Sequence, residues 1–419
     1  MVEVVWLCAR EILDSRGHPT LEVAVELFGG ASARAGVPAG ASTGSMEARE
    51  LRDNDPNRYG GRGVQRAVGN VMGEIADLVR GHKFVDLAEL DEALIHLDGT
   101  LNKKRLGANA IVGVSMAVAR AISVQDGTPL WNSLAPRGVT PRMPVPHFNV
   151  INGGAHATNA LEFQEFMLAP LGARTVTEAV RAGAEIYVAL RGELTRQHLT
   201  VGLGDEGGFA PEVSTPEAVL QLLVDAIEKA GYHAGREGVA IAMDAAANGF
   251  YRDGLYHLDG QSLTSDEMIE LYTELITRFP VWSLEDGLAE DDHAGWKRLT
   301  ARLGERVQLV GDDILVTNPT IIAEAIDHKV GNAALIKPNQ IGTVTETLEA
   351  MRICRDAGWP QMVSHRSGET DDSFIADLAV ASGCGQIKSG APARGERVAK
   401  YNRLIEIEAD ARLPYGLDD

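Results

Sequence analysis

Cysteine is scarce: Cys8, Cys354 and Cys384 are the only three in 419 residues, far apart, odd in number and with no CxxC pair. That excludes a disulfide framework and predicts a reduced, cytoplasmic setting. Positive charge is also short, with 39 Lys and Arg against 59 Asp and Glu, a net charge of −20 and a pI near 5.0. A chain without a basic face does not bind nucleic acid or anionic membrane non-specifically, so neither is expected as a partner. Long hydrophobic runs are missing. The longest small and apolar stretch, residues 110–119, is well below the roughly 20 residues that span a bilayer. The start, Met-Val-Glu-Val, lacks the basic residues and apolar core of a signal peptide, which predicts a soluble protein. No GxxxxGK[ST] and no strand-placed GxGxxG occurs, so no NTP or dinucleotide site is indicated.

What is present suffices for a full core: 45% of residues are hydrophobic, in a chain long enough for a small domain and a barrel of roughly 250 residues or more. Residues 20–27, TLEVAVEL, alternate in the manner of a half-buried strand, and Gly29-Gly30 turns the chain into a second strand over 31–37. Helical patterning follows over 64–80, 87–97 and 108–124. Strands followed by helices predict an N-terminal α+β domain over residues 1–128. A proline-rich connector, 129–146, leads to a region, 140–419, in which helix and strand patterns alternate. Thr215-Pro216-Glu217 and Asn318-Pro319 each open a helix with a cap and a first-turn proline. From 206 onward, polar residues that close apolar runs fall at 206, 244, 285, 312, 337, 365 and 388, a spacing that predicts β/α units closing into a barrel.

Those run-closing residues carry the chemistry. Asp244, Glu285 and Asp312 close VAIAMD, VWSLED and VQLVGDD. C-terminal ends of buried parallel strands are where barrels place function. Each acid alone reads as a cap on the following helix; three behind successive runs read as a hard divalent cation site, Mg²⁺ or Mn²⁺ rather than zinc. Lys337 and Lys388 close AALIK and GQIK, and near a bound dication a lysine is pushed toward its neutral, basic form, although a barrel-rim lysine explains either one alone. Glu206 lies in the glycine-rich GDEGG, a plain turn by itself and an acid catalyst in company. His365-Arg366-Ser367-Gly368 suits a phosphate, and the loop around Ser42 suits a flap over a site.

Read together, DSRG (14–17), GASTG (40–44), NGGAH (152–156), QEFM (164–167), GDEGGFAP (204–211), EDGL (285–288), NQIG (339–342), SHRSGET (364–370) and QIKSGAPAR (386–394) resemble the enolase family, in order and along nearly the whole chain. The resemblance implies an α/β fold, with an N-terminal α+β domain and a modified TIM (β/α)8 barrel opening ββαα, in a homodimer or a higher homo-oligomer. It implies dehydration of 2-phosphoglycerate, a small anionic phosphorylated carboxylate, to phosphoenolpyruvate in glycolysis. Asp244, Glu285 and Asp312 would hold the first of two Mg²⁺ (or Mn²⁺) ions, and Ser42 the second. Lys337 would be the base, with Lys388 stabilising the charge that develops. Glu206, supported by Glu165 and His156, would protonate the leaving hydroxyl. Arg366 and Ser367 would bind phosphate, with Gln164 and His365 also at the substrate.

The chain departs from the family pattern at His18, Ala39, Asn248, Gly249 and Pro338. Gly249 replaces a carboxylate, which predicts looser support behind Asp244. Pro338 restricts Lys337 to extended angles and predicts a lost ladder donor. These changes keep a second reading open: an enolase relative resembling carboxyphosphonoenolpyruvate synthase, acting on a phosphonylated carboxylate in phosphonate biosynthesis. A third, a non-catalytic binding protein on the same fold, has no reason to keep both lysines, Glu206 and three metal acids together.

Overall fold

The computed structural model describes residues 1–41 and 43–417, so Ser42 lies outside the described residues. Strands β1 (Val2–Leu13), β2 (Pro19–Leu27), β3 (Ser32–Gly36) and β4 (Lys83–Phe84) form an antiparallel sheet in the order β3-β2-β1-β4. Leu21, Val23, Val25 and Leu27 of β2 are fully buried while the residues between them are not, which is the alternation read from the sequence. The helix Ala108–Gln125 covers that buried face. It is long and apolar enough by composition to cross a membrane, but most of it is inside the protein, as a core helix. Gly113 lets it sit close, since a Cβ there would lie 2.7 Å from Val23 Cγ2. The helix expected over 64–80 is broken by a π turn at Val71–Ile75, centred on Gly73.

The barrel closes through β5 (Val145–Asn152), β6 (Glu165–Ala169) and β7 (Ala240–Asp244). A ribbon of β8 (Tyr251–Arg252), β9 (Leu255–Leu258) and β10 (Gln261–Leu263) interrupts it. It resumes with β11 (Val281–Glu285), β12 (Gln308–Gly311), β13 (Ala333–Ile336), β14 (Gln361–Ser364) and β15 (Gln386–Lys388), which returns to β5. β6 runs antiparallel to both β5 and β7, and every other barrel pairing is parallel. The helices Val176–Arg196 and Pro216–Lys229 both precede β7, so the barrel opens ββαα. Strands β7 and β11 to β15 are buried at every residue, which is why β7, β11 and β13 read as near-continuous apolar runs. The expected caps are in place: Thr215 accepts from Ala218 N, and Asn318 from Thr320 N and Ile321 N.

One expectation is corrected. Glu206 closes no barrel strand; it lies in a loop between the helices Val176–Arg196 and Pro216–Lys229. The mouth position it was expected to mark belongs to Glu165. Because β6 is reversed, its first residue lies level with Asp244, the last residue of β7.

The sheet of β1 to β4 reaches the barrel mouth through its loops. Ala39 and Gly368 exchange backbone hydrogen bonds of 2.8 and 2.9 Å, and Ser15 Oγ donates to Ser367 O. On the side, Arg120 grips Asp372 at 2.5 Å.

Candidate active site

Strand register assembles the site. Asp244 and Glu285 are paired neighbours at the ends of β7 and β11, and Glu165 is level with Asp244. Asp312, Lys337 and His365 each lie one residue beyond β12, β13 and β14, and Lys388 ends β15. A narrow pocket at this mouth is lined by His156, Gln164, Glu165, Glu206, Lys337, His365, Arg366, Ser367 and Lys388. All nine are sequence-predicted residues, and all nine are buried.

The acids are held from behind. Asp244 accepts from Ala246 N at 2.8 Å and from Gln164 Nε2 at 3.2 Å; Asp312 accepts from Gln340 Nε2 at 2.8 Å. Gln164 therefore lines the cavity but uses its amide on Asp244. Lys388 Nζ donates to both Glu285 oxygens at 2.8 Å and to Glu165 at 3.2 Å, and lies 3.6 Å from Asp244. Lys337 Nζ donates to Asp312 at 2.5 Å. Burial works against charge on both lysines, but the surrounding acids outweigh it and hold both above the ordinary lysine value. Burial first, and Asp244 second, push Glu285 well above the usual carboxylate range. The donors are all oxygen, and four carboxyl groups, on Glu165, Asp244, Glu285 and Asp312, share two ammonium groups. That set fits a hard dication.

Two tighter triplets bring ligand atoms within 4.8 Å of one another: Asp286–Asp312–Asp313 and His156–Glu165–Glu206. Asp244, Glu285 and Asp312 are not such a triplet, because each is drawn toward a lysine or an amide. Asp286 is better read as a brace, since its two oxygens already accept from Asp312 N and Asp313 N at 2.8 and 3.0 Å. His156 Nδ1 lies 3.8 Å from Glu165 and 3.6 Å from Glu206, and Glu165 is already on Lys388. That arrangement suits proton handling. Burial and the neighbouring Glu206 push Glu165 well above the usual range. Burial acts the same way on Glu206, opposed by the His365 and His156 rings and the Arg397 guanidinium around it. Two close carboxylates thus sit in different surroundings, the arrangement in which one can relay a proton to the other.

Several residues at the site went unread in the sequence. Asn149 Nδ2 donates to Glu206 at 2.8 Å. Buried Glu47 accepts from both terminal nitrogens of Arg366 at 3.1 Å, from Gln340 Nε2 at 3.1 Å and from Gly44 N at 3.2 Å. Arg366 also donates to Asn339 at 3.0 Å. Gln340 and Asn339 stood in the quoted NQIG, and a polar pair in a buried segment was the available signal. Asn149 and Glu47 gave no local signal, because their side-chain partners are about 60 to 320 positions away in sequence.

The departures are absorbed. Pro338 is the first residue of the short helix Pro338–Ile341, where no N–H is needed; Lys337 is extended, as expected, but no ladder donor is lost. Gly249 has nothing within 4 Å of where a Cβ would stand, and it lines one pocket with Gln164, the residue that donates to Asp244. Asn248 instead donates to Asp313 at 2.8 Å and accepts from Glu290 N at 2.8 Å, tying two mouth loops together. Ala39 supplies only backbone, and His18 lies beside Arg62, with Nδ1 3.4 Å from the guanidinium.

Comparison with known proteins agrees along the chain. The family model for the enolase C-terminal TIM barrel domain matches residues 140–413, and that for the enolase N-terminal domain matches 4–134. A curated relative, the enolase of Rubrobacter xylanophilus, is 55% identical over 410 residues, covering 97% of this chain and 95% of the relative. With barrel, opening ββαα and mouth residues in place, this chain belongs to the enolase family.

Proposed function

We propose that this chain is a lyase that reversibly dehydrates 2-phosphoglycerate to phosphoenolpyruvate. The observation that carries the reading is the convergence of both lysines, both glutamates and Arg366-Ser367 on one pocket at the barrel mouth. A substrate with a carboxylate at one end and a phosphate at the other matches that division of charge.

Asp244, Glu285, Asp312 and the loop bearing Ser42 are the groups that would hold two Mg²⁺ ions, with Mn²⁺ as a substitute. Once bound, the dications would neutralise Asp312 and the substrate carboxylate, leaving Lys337 free of its ion pair and the adjacent C–H more acidic. Lys337 then takes the C2 proton as a neutral amine. Lys388, buried and charged, faces the carboxylate oxygens where negative charge accumulates. Glu206 gives a proton to the 3-hydroxyl, which departs as water. Glu165, the member of the pair that keeps its proton, and His156 between them resupply Glu206. Arg366 and Ser367 hold the phosphate. His365 lines the cavity beside Glu206. Burial of all these groups excludes competing water.

The near-complete match to an enolase favours this reaction over the phosphonate branch. A non-catalytic role would leave the paired lysines and acids unexplained. Family membership also supports a cytoplasmic homodimer working in glycolysis. The test is to mix purified protein with Mg²⁺ and 2-phosphoglycerate and follow the ultraviolet absorbance of the enol phosphate. Turnover that vanishes on chelation and returns with Mg²⁺ is expected. No turnover without an added nucleotide-activated phosphonoformate would reject the proposal.

A further inference from the structure

Glu206 and the His365–Ser367 segment are loop residues, and catalysis at a loop needs something to fix it. Arg397, on the helix Gly395–Asp410, is completely buried yet lies outside the cavity lining. Its Nη1 donates to His365 Nδ1 and to Arg366 O, both at 2.6 Å. Its Nη2 donates to Ser367 O at 2.6 Å, Asp205 O at 3.1 Å and Ser15 Oγ at 3.3 Å. One planar fork thus joins the backbone beside Glu206 to the segment proposed to hold phosphate.

The contact with His365 has a stricter consequence. A guanidinium has donors and no acceptor, so the ring nitrogen it meets must be the bare one. The imidazole proton is then on Nε2, which faces Glu206 Oε2 at 3.3 Å without making an aligned hydrogen bond to it, and has no other partner among the described residues. We propose that Arg397 is a positioning residue that fixes His365 as the Nε2–H tautomer, so that the ring turns an N–H toward Glu206, ready to donate to it, and not a lone pair that would compete for its proton. The inference rests on the reading of Glu206 as the acid. In support, burial pushes His365 down to about 3, with Arg397 and Lys388 adding to the effect and Glu206 opposing it. A histidine so placed stays neutral through the working range. With the opposite tautomer, a ring lone pair would face the Glu206 carboxylate.

The test uses full-length, ligand-free protein labelled with ¹⁵N-histidine, with the His365 resonances assigned by their loss in His365→Gln. Long-range ¹H–¹⁵N correlation is expected to give the neutral Nε2–H pattern at neutral pH and at about pH 5.5. An Nδ1–H pattern or an imidazolium at either pH would overturn the proposal. This readout needs no turnover, so it stands apart from the assigned reaction. A kinetic arm follows: His365→Gln keeps an amide N–H at the Nε2 position, whereas His365→Asn does not reach Glu206. Expected is kcat within about tenfold of wild type for Gln and at least about tenfold lower again for Asn, with KM for both within about threefold. Equal losses of kcat in the two variants would remove the donor role.

Discussion

Lys337 and Asp286 show how one side chain's task depends on what its neighbours have already taken. Lys337 donates to Asp312 at 2.5 Å, so without a dication it is a counterion and not a base. Replacing it by alanine should abolish exchange of the C2 proton of substrate with solvent, followed by NMR in deuterated water, while Mg²⁺-dependent substrate binding remains measurable. Normal exchange in that variant would take Lys337 out of the base role. Asp286 adopts a left-handed backbone, φ 41°, and presents both oxygens to the amides of Asp312 and Asp313. Asp286→Asn turns an N–H₂ toward one of those amides, and the Asp312 carboxylate loses its fixed aim. Supporting residues of this kind commonly contribute 10–100-fold to metal affinity, so Mg²⁺ affinity by calorimetry should fall by roughly that factor. kcat at saturating Mg²⁺ should change much less. An unchanged affinity would mean that the brace does not transmit to the ligand.

Elements were legible in proportion to how locally their cause is written. β7, β11, β12 and β13 could be read because a strand buried on both faces is a continuous apolar run, and its polar end marks the mouth. β6 could not: in EFMLA the functional residue comes first, and its reversed direction is set by pairing with β5 and β7, not by composition. The Glu206 loop was misplaced for a related reason. Its shape comes from tertiary backbone bonds, among them Asp205 N to His156 O and Phe209 N to Val150 O, with Gly207 at φ 87°. Helix packing offers a paired test on the helix Val176–Arg196. Gly183 faces β5, and an added Cβ would lie 2.5 Å from the Phe148 ring; Gly192, nine residues on, is exposed with nothing within 4 Å. Alanine gains roughly 0.5–1 kcal/mol over glycine in a helix. Forcing atoms into a packed contact costs about 1–3 kcal/mol. Gly192→Ala should therefore stabilise the protein in denaturant melts and Gly183→Ala should destabilise it. The same sign for both would mean that propensity, not close approach, decides.

Across the whole molecule, buried charge links the two parts of the chain. Lys103 meets Glu346 at 2.9 Å, Arg120 meets Asp372, and Asp91 accepts from Ser115 Oγ and from Thr345 N and Oγ1. Such a structure responds to acid through groups that titrate differently when folded. His147 is fully buried beside Trp282, ring centroids 5.5 Å apart, and burial pushes it down to about 4 from an ordinary 6.5. The unfolded chain takes up this proton as pH falls through 6.5, and the folded chain does not until about 4, so stability is lost on acidification across that window. Asp91 acts oppositely: burial raises it to about 6 from 3.8, so the folded state binds its proton first and gains as pH falls between those values. The separate contribution of His147 is isolated by His147→Gln, which removes the titration and keeps a polar side chain of similar reach. At neutral pH the variant should be less stable, having lost the packing against Trp282. Denaturant titrations from about pH 7 downward should show the gap to wild type narrowing by about 1.4 kcal/mol per pH unit below 6.5, roughly 3 kcal/mol by pH 4. A gap that stays constant would mean that His147 is charged in the fold, or that acid opens the barrel around it before it titrates.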